Sequence, residues 1–207
     1  MANMGYKVLQ YDASINTAPY NHPNITFIKK FVGVKDSCDT ISFERVVREN
    51  SLDKNHHNIM QIDIEGAEWD ILREIDLGFV SQYFPQIVFE FHDCNPNDIE
   101  GMKMRLPILE KLRKYYTPIH THFNNNGSIF YGKGLFLSTC IEVSYVRNDL
   151  VENLSVLSNS TNSSDVKDLQ NNKQNLNPIY KSGLGNIVGL DSPNTKGYPD
   201  VPIIFYD

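Results

Sequence analysis

The chain has 207 residues, 41% of them hydrophobic, and a formal net charge of −6. Such a length and apolar content support one domain with a substantial core and exclude disorder throughout. The acidic balance, with basic residues only in short mixed groups such as Lys29-Lys30 and Lys111 to Lys114, argues against a dedicated nucleic-acid binder, and no apolar run is long enough to cross a bilayer.

Three widely spaced cysteines, Cys38, Cys94 and Cys140, form no CxxC pair and suggest free thiols in a reducing compartment. Met1 leads into a strand without a secretory pattern. Tyr6 to Tyr11 reads as that strand, and Asp12 closes it. An acidic residue at such a place in a nucleotide-binding sheet can accept two ribose hydroxyls. The alternative is an Asx-turn residue, with Ala13-Ser14 following. Residues 16–24, with Pro19 and Pro23, form a loop. Ile25 to Val34 is a second strand, and Lys35-Asp36-Ser37 turns the chain. Asp39 or Thr40 caps a helix from Ile41 to about Glu49, with Phe43, Val46 and Val47 inward. His56 and His57 are adjacent, so they point apart, and solvent exposure suits them better than a ligand role.

The stretch Asn58 to Trp69 reads N-I-M-Q-I-D-I-E-G-A-E-W. It begins as a β-branched strand and ends in Asp63-Ile64-Glu65-Gly66. A helix from Ala67 to about Ile75 follows, with Ala67, Ile71 and Ile75 on one side. Strand, acidic turn, glycine and helix make the βα half of a βαβ unit, where ligands bind at the carboxyl ends of strands. Asp63 and Glu65 are two residues apart and leave the strand on one face. Asp63 is placed deep in an apolar strand, where a carboxylate needs a partner. Gly66 permits a tight turn. The plainer role for Glu65 and Glu68 is to favour the positive end of the helix.

Leu77 to Pro85 is a short turn or helix, and Gln86 to His92 a buried strand ending in Glu90, His92 and Asp93. Glu90 and His92 share a face. A helix from Asn97 to about Tyr116, capped by Asn95 or Asn97, contains Pro107, which should kink or split it. Met104, Ile108, Leu109 and Leu112 form its apolar stripe. Tyr116 to Phe123 is extended, with His120 and His122 facing the same way, and Asn124 to Gly127 is a turn. Ile129 to Tyr131 is a short apolar piece and Leu137 to Arg147 one alternating strand; the pair could form an antiparallel ribbon. Residues 149–190, rich in Ser and Asn, read as a flexible linker or insertion, and 191–207 as a docking tail.

The central Q-I-D-I-E-G-A-E-W-D-I-L resembles the D-x-E-G-A-E-W region of the FkbM-like, S-adenosylmethionine-dependent methyltransferases and related methyltransferase-like proteins of animals. The likeness continues into V-F-E-F-H-D at residues 88–93 and the strand pair near 117–147, so it spans most of residues 5–148. It implies an α/β, Rossmann-like class I sheet over residues 1–148, mostly parallel, with an antiparallel last strand. In that family a glycine-rich turn after the first strand contacts the cofactor. No G-x-G precedes Tyr6, and Gly183-Leu184-Gly185 comes after the sheet. By the resemblance, Tyr6 to Asp12 is the second strand, and a first strand with its glycine loop is expected to be missing from a truncated sequence.

The resemblance implies S-adenosylmethionine as cofactor and O-methylation of a small-molecule or glycan hydroxyl, with no nucleic acid, membrane segment or metal assigned. Asp12 holds the ribose, Asp36 reaches the adenine amino group, and Asp63, with Glu65, meets the amino-acid end of the cofactor and the substrate. Methyl transfer needs alignment, and a hydroxyl acceptor needs a base. His92 is the first choice, with Glu90 or Asp93 near enough to orient it. Glu90, His120 and His122 line the acceptor side. Two alternatives use the same residues. Asp63-x-Glu65 with His92 also resembles the D-x-D/E metal site of nucleotide-sugar glycosyltransferases, with hard oxygens suited to Mg or Mn. A sheet without the glycine loop could also be a non-catalytic remnant. A divalent-metal requirement favours the former, and a stable fold that binds no cofactor favours the latter.

Overall fold

The computed structural model describes residues 1–132, 135–151, 191 and 194–197. Most of the expected linker and docking tail, and Gly183-Leu184-Gly185, lie outside the described residues. The described chain is a mixed α/β structure in two compact units. One comprises Met1–Asp53 and Asp70–Asp76, the other Lys54–Trp69 and the described part of Leu77–Asp207.

In the first unit, β1 (Val8–Tyr11) pairs in parallel with β2 (Ile25–Ile28). The expected single strand from Ile25 to Val34 is broken at Lys29-Lys30. Lys30 N–H turns back to the Ile28 carbonyl, and Lys29 Nζ reaches Asn16 Oδ1 at 2.7 Å. Past the break, β3 (Phe31–Gly33) pairs in parallel with β4 (Thr40–Ser42). Of the two residues expected as a helix cap, Thr40 therefore opens a strand and Asp39 lies in the bend before it. Helix α1 (Phe43–Glu49) starts later, with Ser42 Oγ accepting from Arg45 N–H. Its inward residues are Phe43 and Val47.

The second unit is built on a four-stranded sheet in the order β5 (Ile59–Ile62), β6 (Gln86–Phe91), β10 (Ile141–Arg147), β7 (Tyr116–Phe123). β5 and β6 are parallel, and β10 runs antiparallel to both β6 and β7. β6 alternates as a strand in a two-faced sheet must. Ile87, Phe89 and Phe91 are buried, and Glu90 points to the other face. On the buried face, Phe91 stacks on Trp69 with centroids 4.7 Å apart, and Tyr145 meets Phe89 and Phe91 edge-on. These rings fix the height of β6, and so the point where His92 leaves it.

Helix α2 (Glu68–Glu74) follows β5, and α3 (Leu77–Tyr83) precedes β6. Of the face expected from Ala67, Ile71 and Ile75, Ile71 is buried and Ile75 half-buried, but Ala67 is not part of the buried face. Ala67 is exposed, and Glu68, Trp69, Ile71 and Leu72 are buried. Helix α4 (Ile99–Arg113) is capped by Asp98, which accepts from Gly101 N–H, not by Asn95 or Asn97. Pro107 does not split α4: it lies on the exposed side, where water can serve the carbonyl left without a partner. Met104 is exposed, and Arg105 takes the inward place beside Ile108 and Leu112, its guanidinium 5.8 Å over the Trp69 ring.

The expected strand from Leu137 to Arg147 is also two. β8 (Ile129–Gly132) and β9 (Leu135–Ser138) form a hairpin, and the chain re-enters the main sheet at Ile141. Cys140 N–H turns to Ser138 Oγ at the junction, while Ser138 Oγ donates to Asn124 O. β7 carries Pro118 on the outer edge of the sheet, where a missing donor is tolerated.

Candidate functional site

The site lies at the carboxyl ends of β5 and β6. Both strands end in a turn of left-handed backbone on an acidic residue: Glu65 has φ 55° and Asp93 φ 58°. Such conformations cost about 1 kcal/mol or more each and concentrate at functional sites. Gly66 follows with φ 102°. A Cβ there would meet Asp93 Oδ2 only at an ordinary 3.5 Å, so backbone conformation, not space, requires glycine.

Glu68 organises these turns. Its side chain is 0% exposed. Oε2 accepts from Gly66 N–H at 2.9 Å, and Oε1 from His92 N–H at 2.7 Å. His92 Nδ1 lies 3.1 Å from Oε1. A carboxylate that already accepts from backbone N–H groups accepts a hydrogen bond from Nδ1 as well, so Nδ1–H is the donor. The Nε2 lone pair of the neutral ring is then directed to the other side. There it faces Glu65 Oε2 at 3.4 Å, Glu90 Oε1 at 3.6 Å and Asp63 Oδ1 at 4.0 Å. Trp69 Nε1 donates to the His92 carbonyl at 2.8 Å, fixing the ring's backbone from the core side.

Glu90 begins a polar row across the sheet, with Glu142 and then His122 in register beside it. Two carboxylates side by side repel. Donors relieve them: Asn124 Nδ2 and Cys140 Sγ reach Glu90 Oε1 at 2.9 and 3.0 Å, and His122 Nδ1 lies 3.0 Å from Glu142 Oε2. Asn194 Nδ2 donates to Glu142 Oε1 at 2.5 Å. The hydrogen bond from His122, aided by Asn194 against burial, holds the Glu142 carboxyl below its ordinary value. His120, expected on the acceptor side, pairs with Asp191 at 2.7 Å.

The expected site residues therefore divide. Asp63, Glu65, Glu90 and His92 come together in the second unit. Asp12 and Asp36 belong to the first. Asp12 forms the Asx-turn, accepting from Ser14 N–H at 2.7 Å and Ser14 Oγ at 2.6 Å, and these bonds lower its carboxyl's pKa. Asp36 accepts from Ser42 N–H at 2.9 Å at the start of α1. Asp63 is not deep in a strand: β5 ends at Ile62, and the Asp63 side chain is 46% exposed. The residue that orients His92 is Glu68, not Glu90 or Asp93. Asn124, Cys140 and Glu142 are further site residues that sequence reasoning missed. Periodicity could have found Glu68, since it precedes the inward Ile71 and Leu72 by three and four residues.

Burial and the Glu90 charge raise the Asp63 carboxyl above its ordinary value, against the pull of His92. A folded-state pKa raised above the unfolded one means stability lost as pH rises from 3.8 through the raised value. Asp63→Asn is therefore expected to stabilise the protein at neutral pH, by no more than about 1 kcal/mol at so exposed a place. Urea unfolding at pH 7 measures this, and a lower midpoint in the variant would contradict it.

Comparison with curated proteins and with solved structures gives no match. The family model described as the methyltransferase FkbM domain matches residues 5–121. With more than half of its 207 residues matched, and with the acidic turn of β5 and the Glu-x-His end of β6 inside the match, the chain belongs to the FkbM methyltransferase family.

Proposed function

We propose that the chain is an S-adenosylmethionine-dependent methyltransferase that acts on a hydroxyl of a small molecule or glycan. The observation that carries this reading is the Glu68–His92 pair, which presents an imidazole lone pair at a strand's carboxyl end. The sheet supports a Rossmann-like, class I arrangement, since β10, the last strand, is reversed between β6 and β7. Family membership gives the glycosyltransferase reading no support.

The cofactor supplies an electrophilic methyl on a positively charged sulfur. The residues present fit such a group. Asp63, Glu65 and Glu90 gather round one imidazole, and the Asp63 carboxyl, raised first by burial and then by the Glu90 charge, gains from a cationic ligand beside it. Asp63 and Glu65 hold the amino-acid end of the cofactor. His92 Nε2 takes the proton of the acceptor hydroxyl as its oxygen becomes the nucleophile. Glu68 keeps Nδ1 protonated and shares the charge that the ring acquires. Glu90 lines the acceptor side, and His120 and His122 act there through their carboxylate partners.

Calorimetric titration with S-adenosylmethionine and S-adenosylhomocysteine tests the reading. Saturable binding of both is expected, weakened about tenfold or more in Asp63→Ala through loss of a charged partner. A folded chain that binds neither would overturn it.

A further inference from the structure

Cys140 has no part in the mechanism above, yet its sulfur belongs to the same group of donors. Cys140 Sγ lies 3.0 Å from Glu90 Oε1, and Glu90 Oε1 lies 3.6 Å from His92 Nε2. The three donor atoms all lie within 4.8 Å of one another. We propose that Glu90, His92 and Cys140 form a binding site for a borderline-soft divalent ion of the Zn2+ class, and that occupation of this site excludes methyl transfer.

The donor types select the ion. One sulfur, one imidazole nitrogen and one carboxylate oxygen suit zinc, whereas magnesium and calcium prefer oxygen throughout. The spacing agrees, because ligands of a tetrahedral zinc ion lie about 3.5 Å apart. Two separate stretches of chain converge here, the end of β6 with Glu90 and His92 and the junction before β10 with Cys140, and the mixed O, N and S donors distinguish the group from a patch of surface carboxylates. The imidazole is prepared as well: Nδ1–H is held by the fully buried Glu68 carboxylate, so Nε2 carries the lone pair. A carboxylate behind the ring strengthens a histidine ligand. Glu65, 87% exposed and 3.4 Å from Nε2, is free to swing in as a fourth ligand.

On binding, the Sγ proton that Cys140 shares with Glu90 passes to solvent, and the thiolate, Nε2 and Oε1 each give a lone pair to the ion. Nε2 has one lone pair. It cannot hold an ion and take the acceptor's proton, so the two uses compete. The binding site stands on geometry alone, and only the exclusion rests on His92 as proton acceptor.

The test titrates the full chain, carrying Cys38→Ser to remove the exposed thiol, with Co2+ as a probe. A thiolate-to-cobalt charge-transfer absorption is expected, bleached by stoichiometric Zn2+ and untouched by excess Mg2+. Cys140→Ser should lose the band. Cys140→Ser and Glu90→Gln should each bind Zn2+ at least about tenfold more weakly. Glu90→Gln keeps the test alive if Cys140→Ser does not fold. A folded chain without the band, or a band that survives Cys140→Ser, would overturn the site. Where methyl transfer is followed, Zn2+ should suppress it and a chelator restore it. Transfer undiminished at saturating Zn2+ would overturn the exclusion and leave the binding result standing.

Discussion

Glu68→Ala is expected to destabilise the protein by about 3–5 kcal/mol, the largest loss of any single substitution at the site. The side chain is fully buried and accepts from Gly66 N–H, His92 N–H and His92 Nδ1–H. Truncation leaves these donors facing a cavity. Each unsatisfied buried group costs about 1–3 kcal/mol, and the emptied volume adds to that. Bonds to a charged acceptor lie at the upper end of the range. The two backbone donors flank the left-handed turns at Glu65 and Asp93, so their release also frees two strained conformations. For a chain of this size the fall in melting temperature is about 10 °C. Glu68→Gln separates charge from shape. It keeps one carbonyl oxygen but turns an amide N–H2 toward a backbone donor, so about half the loss is expected. Thermal unfolding followed by circular dichroism measures both. A Glu68→Ala protein melting with the wild type would mean that these bonds are not what sets the turns.

The turn chemistry explains why part of this site was legible in the sequence and part was not. Asp63, Glu65 and His92 stand at strand ends, where alternation and the break in apolar pattern mark them. Gly66 is marked by its freedom at positive φ, which it uses. Glu68 carries no such mark, since a glutamate in the first turn of a helix has an ordinary reason to be there. Its burial depends on the register of Ile71 and Leu72, which the alternative face through Ala67 obscured. Cys140 and Asn124 were hidden differently. Both sit at breaks, one between β9 and β10 and the other after β7, where propensity says only that the chain turns. The same blindness merged Ile25–Ile28 with Phe31–Gly33, and Leu135–Ser138 with Ile141–Arg147. The first pair reads as one largely apolar strand and the second as one alternating strand. At each break the backbone turns on a hydrogen bond two residues back, Lys30 N–H to Ile28 O and Cys140 N–H to Ser138 Oγ, which an apolar pattern does not encode.

His92→Asn is expected to lower methyl transfer by about a hundredfold to ten-thousandfold while leaving affinity for S-adenosylmethionine within about threefold. The asparagine amide can still donate to Glu68, so the pocket keeps its partner, but nothing remains at the position of Nε2. Loss confined to turnover is the mark of a group that acts on the acceptor's proton. An equal loss in affinity and turnover would assign His92 to cofactor binding instead. The pH profile offers a second readout. Burial alone would lower the His92 pKa, but Glu68 beside Nδ1, with Glu65 and Glu90 beyond, raises it above 6.5. A base must be neutral, so wild-type transfer should climb as pH rises through that raised value and then level off. Glu65→Gln removes one of the raising charges and should move the inflection to lower pH. Stability runs the other way. The folded state holds the imidazolium proton more tightly than the unfolded chain, so the contribution of His92 is complete below pH 6.5 and disappears as pH rises through the folded value. The protein should therefore transfer methyl fastest where this pair stabilises it least. Rate and unfolding profiles measured on one preparation across that window should cross, and parallel curves would remove His92 from the role of base.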